Sequence, residues 1–168
     1  MWTLSSDYIN NLSFHYIETY SFRRGSAYEK LNAENADLEY NGYIEDENGQ
    51  FFPYSIRTGT FQHDHPIAIQ VKNLLQIEIE HHEKYLCAPV YRDAIIFYDQ
   101  TQRSVSSLNI CLSCCYMQTD IGLLKADYKT YGYLKKLFLE LGHDVENPEY
   151  NIIDDIEAMK TKIKKPKR

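Results

Sequence analysis

At 168 residues, with 43 % apolar and 25 % charged side chains, the chain has the size and composition of one folded domain, which excludes a disordered, collagen-like or disulfide-dense protein. The formal charge of −6 conceals a division: six of the eighteen Lys/Arg fall in residues 160–168, so residues 1–159 set twelve bases against twenty-four acids. A body of that sign repels nucleic acid and anionic lipid and speeds encounter with cationic proteins.

No run of eighteen apolar residues exists, and the opening Met1-Trp2-Thr3-Leu4-Ser5-Ser6-Asp7 lacks the basic and apolar regions of a secretion signal, so a cytoplasmic protein with no membrane segment is expected. In that compartment four Cys are expected as thiols. With no repeat and no Pro/Gly/Ser-rich linker, residues 1–159 read as a single α+β domain and 160–168 as a basic tail.

Taken in chain order, residues 13–22 are rich in aromatic and β-branched side chains and read as a strand. Residues 26–36 are polar, a short helix or a loop. Leu38–Ile44 and Gln50–Thr58 flank Asp46-Glu47-Asn48-Gly49, where Asn-Gly supplies the positive φ of a tight reversal, so a β-hairpin is expected. From Asp64, a capping residue followed by Pro66, the spacing of Ile67, Val71, Leu74 and Leu75 predicts a helix to about His82, although Ile77 and Ile79 alternate. Pro89–Asp99 and Ser104–Ser113, joined by Gln100-Thr101-Gln102-Arg103, predict a second hairpin whose first strand carries the Ala94-Ile95-Ile96-Phe97 run of a central position. Two helices close the chain: Asp127–Leu141, stopped by Gly142, and Glu149–Ile163, with acids early and lysines late. The order predicts an α+β fold, an antiparallel sheet of two hairpins plus an N-terminal strand, with helices packed on one face.

Cys111-Leu112-Ser113-Cys114-Cys115 is the sharpest local feature. A turn centred near Thr101 places Cys87 across from Cys115 within a residue or two, near Cys114. Four thiols could therefore converge and hold zinc, but Cys87 is single and the adjacent Cys114 and Cys115 diverge on a strand. Buried small hydrophobes are the favoured reading, ahead of zinc, a redox pair or a bridge. His63-Asp64-His65 could ligate a metal, yet a helix lead-in capped by Asp64 explains it; His81-His82 read as a helix end. Arg92-Asp93, a charged pair in the middle of the predicted Pro89–Asp99 strand, lie at an exposed strand end or are held there by partners.

Cys87 to Asp99 together with Leu108-Asn109-Ile110-Cys111-Leu112-Ser113-Cys114 resembles a segment of small uncharacterised bacterial proteins, C-x-P-x-x-R-x-A-I-I-F-Y-D followed by I-C-x-x-C. The resemblance covers 20 of the 168 residues and implies a shared hairpin and shared Cys87, Cys111 and Cys114; it brings no activity.

No nucleophile elbow, Walker loop or dinucleotide fingerprint is present. The acidic, Tyr-rich composition points to a protein-binding domain without a cofactor, an immunity or antitoxin-like inhibitor of a cationic effector, with Tyr40, Tyr43, Glu45, Asp46, Glu47, Arg92 and Asp93 as candidate contacts. The alternatives are a zinc domain using Cys87, Cys111, Cys114 and Cys115, and an enzyme using Arg92 and Asp93 with a His.

Overall fold

The Ala94–Phe97 run forms β4 (Asp93–Tyr98), every residue of which is buried. In the computed structural model, which describes residues 2–22, 43–45, 49–82 and 87–163 (side chains at 159 and from 161 onward excepted), β4 lies inside a seven-stranded sheet. The other strands are β1 (Thr3–Leu4), β2 (Tyr16–Phe22), β3 (Ser55–Gln62), β5 (Ser104–Cys111), β6 (Tyr116–Thr119) and β7 (Gly122–Lys125). The helices are α1 (Ser5–Asn11), α2 (Pro66–Leu75), α3 (Tyr128–Glu140) and α4 (Ile152–Ile163). Strand order is β1-β7-β6-β5-β4-β2-β3, and all pairs are antiparallel except β1 with β7. The sheet is thus mixed, where a purely antiparallel one was expected, because the chain begins in a strand too short to read from sequence.

Side-chain alternation divides the sheet. Ile17, Ile95, Phe97, Leu108, Ile110, Met117 and Leu124 face one way and share a core with all four helices. Tyr20, Phe22, Ala94, Ile96 and Tyr98 face the other way and pack against Ile44, Phe51, Phe52 and Tyr54.

The β4–β5 hairpin has the expected register, Asp93 opposite Ile110 and Tyr98 opposite Ser104. Its turn is closed by Asp99, whose Oδ1 accepts from the backbone N–H groups of Thr101 (2.7 Å) and Arg103 (3.0 Å) and from the Thr101 hydroxyl (2.7 Å). The first expected hairpin differs. Glu45 bridges Phe51 and Phe52 N–H donates to the Ile44 carbonyl, but β3 takes its partner from β2. Residues 26–36, 38–42 and 46–48 lie outside the described residues.

The helix expected to reach His82 stops at Leu75 and is capped by His65, whose Nδ1 accepts from Ile67 N–H, in place of Asp64. Beyond it the alternating Ile77 and Ile79 favour extended backbone, so His81 and His82 do not end a helix. That segment is tied instead to Asp127, the N-cap of α3. Its carboxylate accepts from the N–H groups of Glu80 (2.8 Å), His81 (2.7 Å) and Lys129 (2.9 Å). Burial opposes the charge, but these backbone donors outweigh it and hold the Asp127 carboxyl below its ordinary range.

Gly142 takes φ +78° after α3, as its position suggested. Gly132 lets α4 approach: a Cβ there would meet Ile153 at 2.5 Å and Asn151 Oδ1 at 2.7 Å. Gly132→Ala is therefore expected to lower stability by about 1–3 kcal/mol in urea unfolding, although Ala favours a helix. Asp127→Ala is expected to cost about 2 kcal/mol at neutral pH. A depressed folded-state pKa contributes stability above the unfolded pKa and loses it as pH falls, so the gap between wild type and variant should narrow in acid.

Candidate functional site

Three polar arrangements are built into the sheet. The first begins at Asp93, whose side chain is fully buried. His143 Nδ1, also fully buried, lies 2.8 Å from Asp93 Oδ1, and since a carboxylate only accepts, this nitrogen carries the proton. His143 Nε2 lies 2.8 Å from Thr58 Oγ1, and the Thr58 hydroxyl contacts Thr19 Oγ1 (2.7 Å) and the Thr19 carbonyl (3.1 Å). Phe138 stacks on the imidazole at 4.2 Å. Acid, imidazole and hydroxyl follow in the order of a proton relay. Two of the three are sealed, and the hydroxyl is tied to a second strand. The arrangement clamps β4, the α3–α4 loop, β3 and β2 together.

On the opposite face Glu18 gathers donors: Arg57 (2.8 Å) and Thr60 (3.2 Å) on Oε1, Tyr20 (2.7 Å) on Oε2. Burial and the neighbouring carboxylate push the Tyr20 phenol well up, which keeps it a donor.

The third is a cavity of about 320 Å³. Its walls come from Val90 and Arg92 ahead of β4, from Leu112, Ser113 and Cys115 in the β5–β6 turn, from Tyr131, Gly132 and Lys135 on α3, and from the α3–α4 loop. Arg92 pairs with Glu146 (2.9 Å), and Lys135, 8 % exposed, donates to the Asn147 carbonyl (2.7 Å) and stands over the Tyr150 ring.

The cysteine corner forms one side of this region. The hairpin register brings Cys87 to Cys114 as expected, but the two are joined in a disulfide where thiols were anticipated; their Cα atoms lie 6.4 Å apart. Cys111 and Cys115 are free and buried, and burial pushes the Cys115 thiol up to about 12. Two of the four sulfurs needed by zinc are thus bonded to each other, and among the described residues no three metal-capable side chains converge.

The candidate contact residues disperse. Tyr40, Asp46 and Glu47 lie outside the described residues. Glu45 is buried near Ser104, Asp93 is spent on His143, and Tyr43 stacks on Tyr91 and accepts from Gln118 (2.7 Å). Of the described candidate contacts, Arg92 lines this cavity and Tyr43, Glu45 and Asp93 do not. His143 and Lys135 were missed, since a single His after a helix-ending Gly and a Lys within an amphipathic helix carry no distinguishing spacing. His63 and Asp64 are exposed.

No protein-family model, curated protein or solved structure matches the chain.

Asp93→Ala, which leaves the imidazole N–H buried without an acceptor, is expected to cost about 3–5 kcal/mol, and Thr58→Val only about 1 kcal/mol. Equal and small effects in chemical denaturation would refute the clamp. A thiol titration in denaturant without reductant should find two reactive thiols, rising to four after reduction. Four at the outset, with one equivalent of zinc, would restore the metal reading.

Proposed function

We propose that the chain is a small protein-binding domain acting in the cytoplasm as an immunity or antitoxin-like inhibitor of a cationic effector protein. The observation that carries this reading is the corner formed by the end of α3, the α3–α4 loop and α4. Between Glu140 and Glu157 it holds seven exposed carboxylates and no Lys or Arg. Tyr150, 53 % exposed, stands among them and donates to Asp155 (2.9 Å), a rigid aromatic of the kind that anchors interfaces. Carboxylates at this density steer a basic partner to the surface, and the aromatic slows its release. The buried Glu45 moves the centre of the reading from residues 40–47 to this corner.

The test is co-expression with the effector encoded beside the chain, scored by growth and by the salt dependence of the purified complex. Charge reversal at Glu149, Asp154, Asp155 and Glu157 is expected to abolish protection and to slow association at least ~tenfold at low salt. Protection unaffected by the reversal would overturn the reading.

A further inference from the structure

The cavity beside the disulfide differs in sign from the surface around it. Its lining carries two cations, Arg92 and Lys135, against one carboxylate, Glu146, in a body otherwise rich in acid. Placing Lys135 almost out of solvent is costly, and such a cation is retained where it holds structure or meets an anion. Arg92 keeps a third of its side chain exposed at the same cavity.

Two further observations point to a ligand. Of the three non-glycine residues with positive φ among the described residues, Cys115 (53°) and Asn147 (48°) both line this cavity, and backbone of that kind gathers where a site is being shaped. Tyr131, 2 % exposed, forms part of the lining together with Cys115, and its hydroxyl has no hydrogen-bond partner among the described residues. An unpaired buried hydroxyl is costly until something supplies an acceptor or donor. Beside the polar Ser113, the lining holds an apolar group, Val90, Leu112, Val145 and Ile152. A volume of about 320 Å³ lies at the small end of the range for small-molecule pockets.

We infer that this cavity binds a small molecule with an apolar body and a single carboxylate, its head between Lys135 and Arg92 and its body against Val90, Leu112, Val145 and Ile152. The site recognises an anion where the acidic corner recognises cations, and the two share Glu146 and Tyr150 of the α3–α4 loop. A carboxylate reaching Arg92 competes with Glu146 for the guanidinium, so occupancy loosens the bridge that ties the α3–α4 loop to the segment ahead of β4.

Isothermal titration of the full chain with phenylpropionate, isocaproate and indoleacetate, each beside its neutral amide, tests the inference. At least one acid is expected to saturate a single site at least ~tenfold more tightly than its amide, the difference made by one charge-assisted hydrogen bond. Lys135→Met and Arg92→Gln should each weaken that acid by ~tenfold or more. Val90→Trp, at a position already 41 % exposed and so tolerant of bulk, should narrow the cavity and abolish binding. No saturable binding by any of the three acids, equal affinity for acid and amide, or binding that survives both Lys135→Met and Val90→Trp would overturn it. Should Lys135→Met fail to fold, Arg92→Gln and Val90→Trp decide the matter, because both side chains are partly solvent-exposed in the native protein.

Discussion

A carboxylate in the middle of a sheet must be neutralised where it stands, and the arrangement of this protein follows from that requirement at Asp93. The residue begins β4, flanked by β2 and β5, and its side chain has no exposed surface. Its partner comes from fifty residues later, which obliges the chain to leave α3 at Gly142 and turn back over the sheet. His143 then passes the hydrogen bonding on to Thr58 and Thr19, and the next residue, Asp144, donates its N–H to Ser21 Oγ (3.0 Å). One buried charge thereby fixes the entry to the α3–α4 loop. That loop forms both the acidic corner and one wall of the cavity.

The two sheet faces answer to different chemistry. The helical side closes through aliphatic and aromatic packing, with Phe97 meeting Tyr8 and Phe14 edge-on. The other side is lined with phenols and phenyl rings, Tyr16 stacked on Tyr98 and Tyr20 on Phe51, around the charge of Glu18. Four tyrosines, Tyr16, Tyr20, Tyr54 and Tyr98, cover this sheet face, which no described helix reaches, while Tyr8, Tyr128 and Tyr131 pack on the helical side. Among the described tyrosines only Tyr133 and Tyr150 stand exposed.

Legibility in the sequence followed the range of the interactions. Strand β4, its hairpin with β5, and both closing helices were readable, because periodicity, a four-residue turn and Gly142 as stop are local signals. Strands β6 and β7 were not: each has four residues, and the polar Gln118, Thr119 and Asp120 carry no alternation long enough to detect. Helix α1 offers only Tyr8 and Ile9 as buried apolar residues in seven. Hairpin register brought Cys87 to Cys114, while composition argued against the bond between them. The pairing of Asp93 with His143 had no signal in a single chain, because neither flanking pattern refers to the other. The cavity was equally hidden, being assembled from four separate stretches.

The order of the strands bears on how the protein is made. Strand β1 pairs with residues 124 and 125, and β2, complete by residue 22, sits between β3 and β4, whose residues run from 55 to 98. During synthesis β1 therefore waits for most of the chain before its partner exists, and β2, with six of its seven residues destined for burial, waits until β3 and then β4 have been made. Such long-range closure slows folding and leaves a sticky ribbon exposed on the ribosome. The nascent chain should accordingly be a client of chaperones that shield extended apolar segments, and C-terminal truncation should yield aggregates in preference to a smaller folded core.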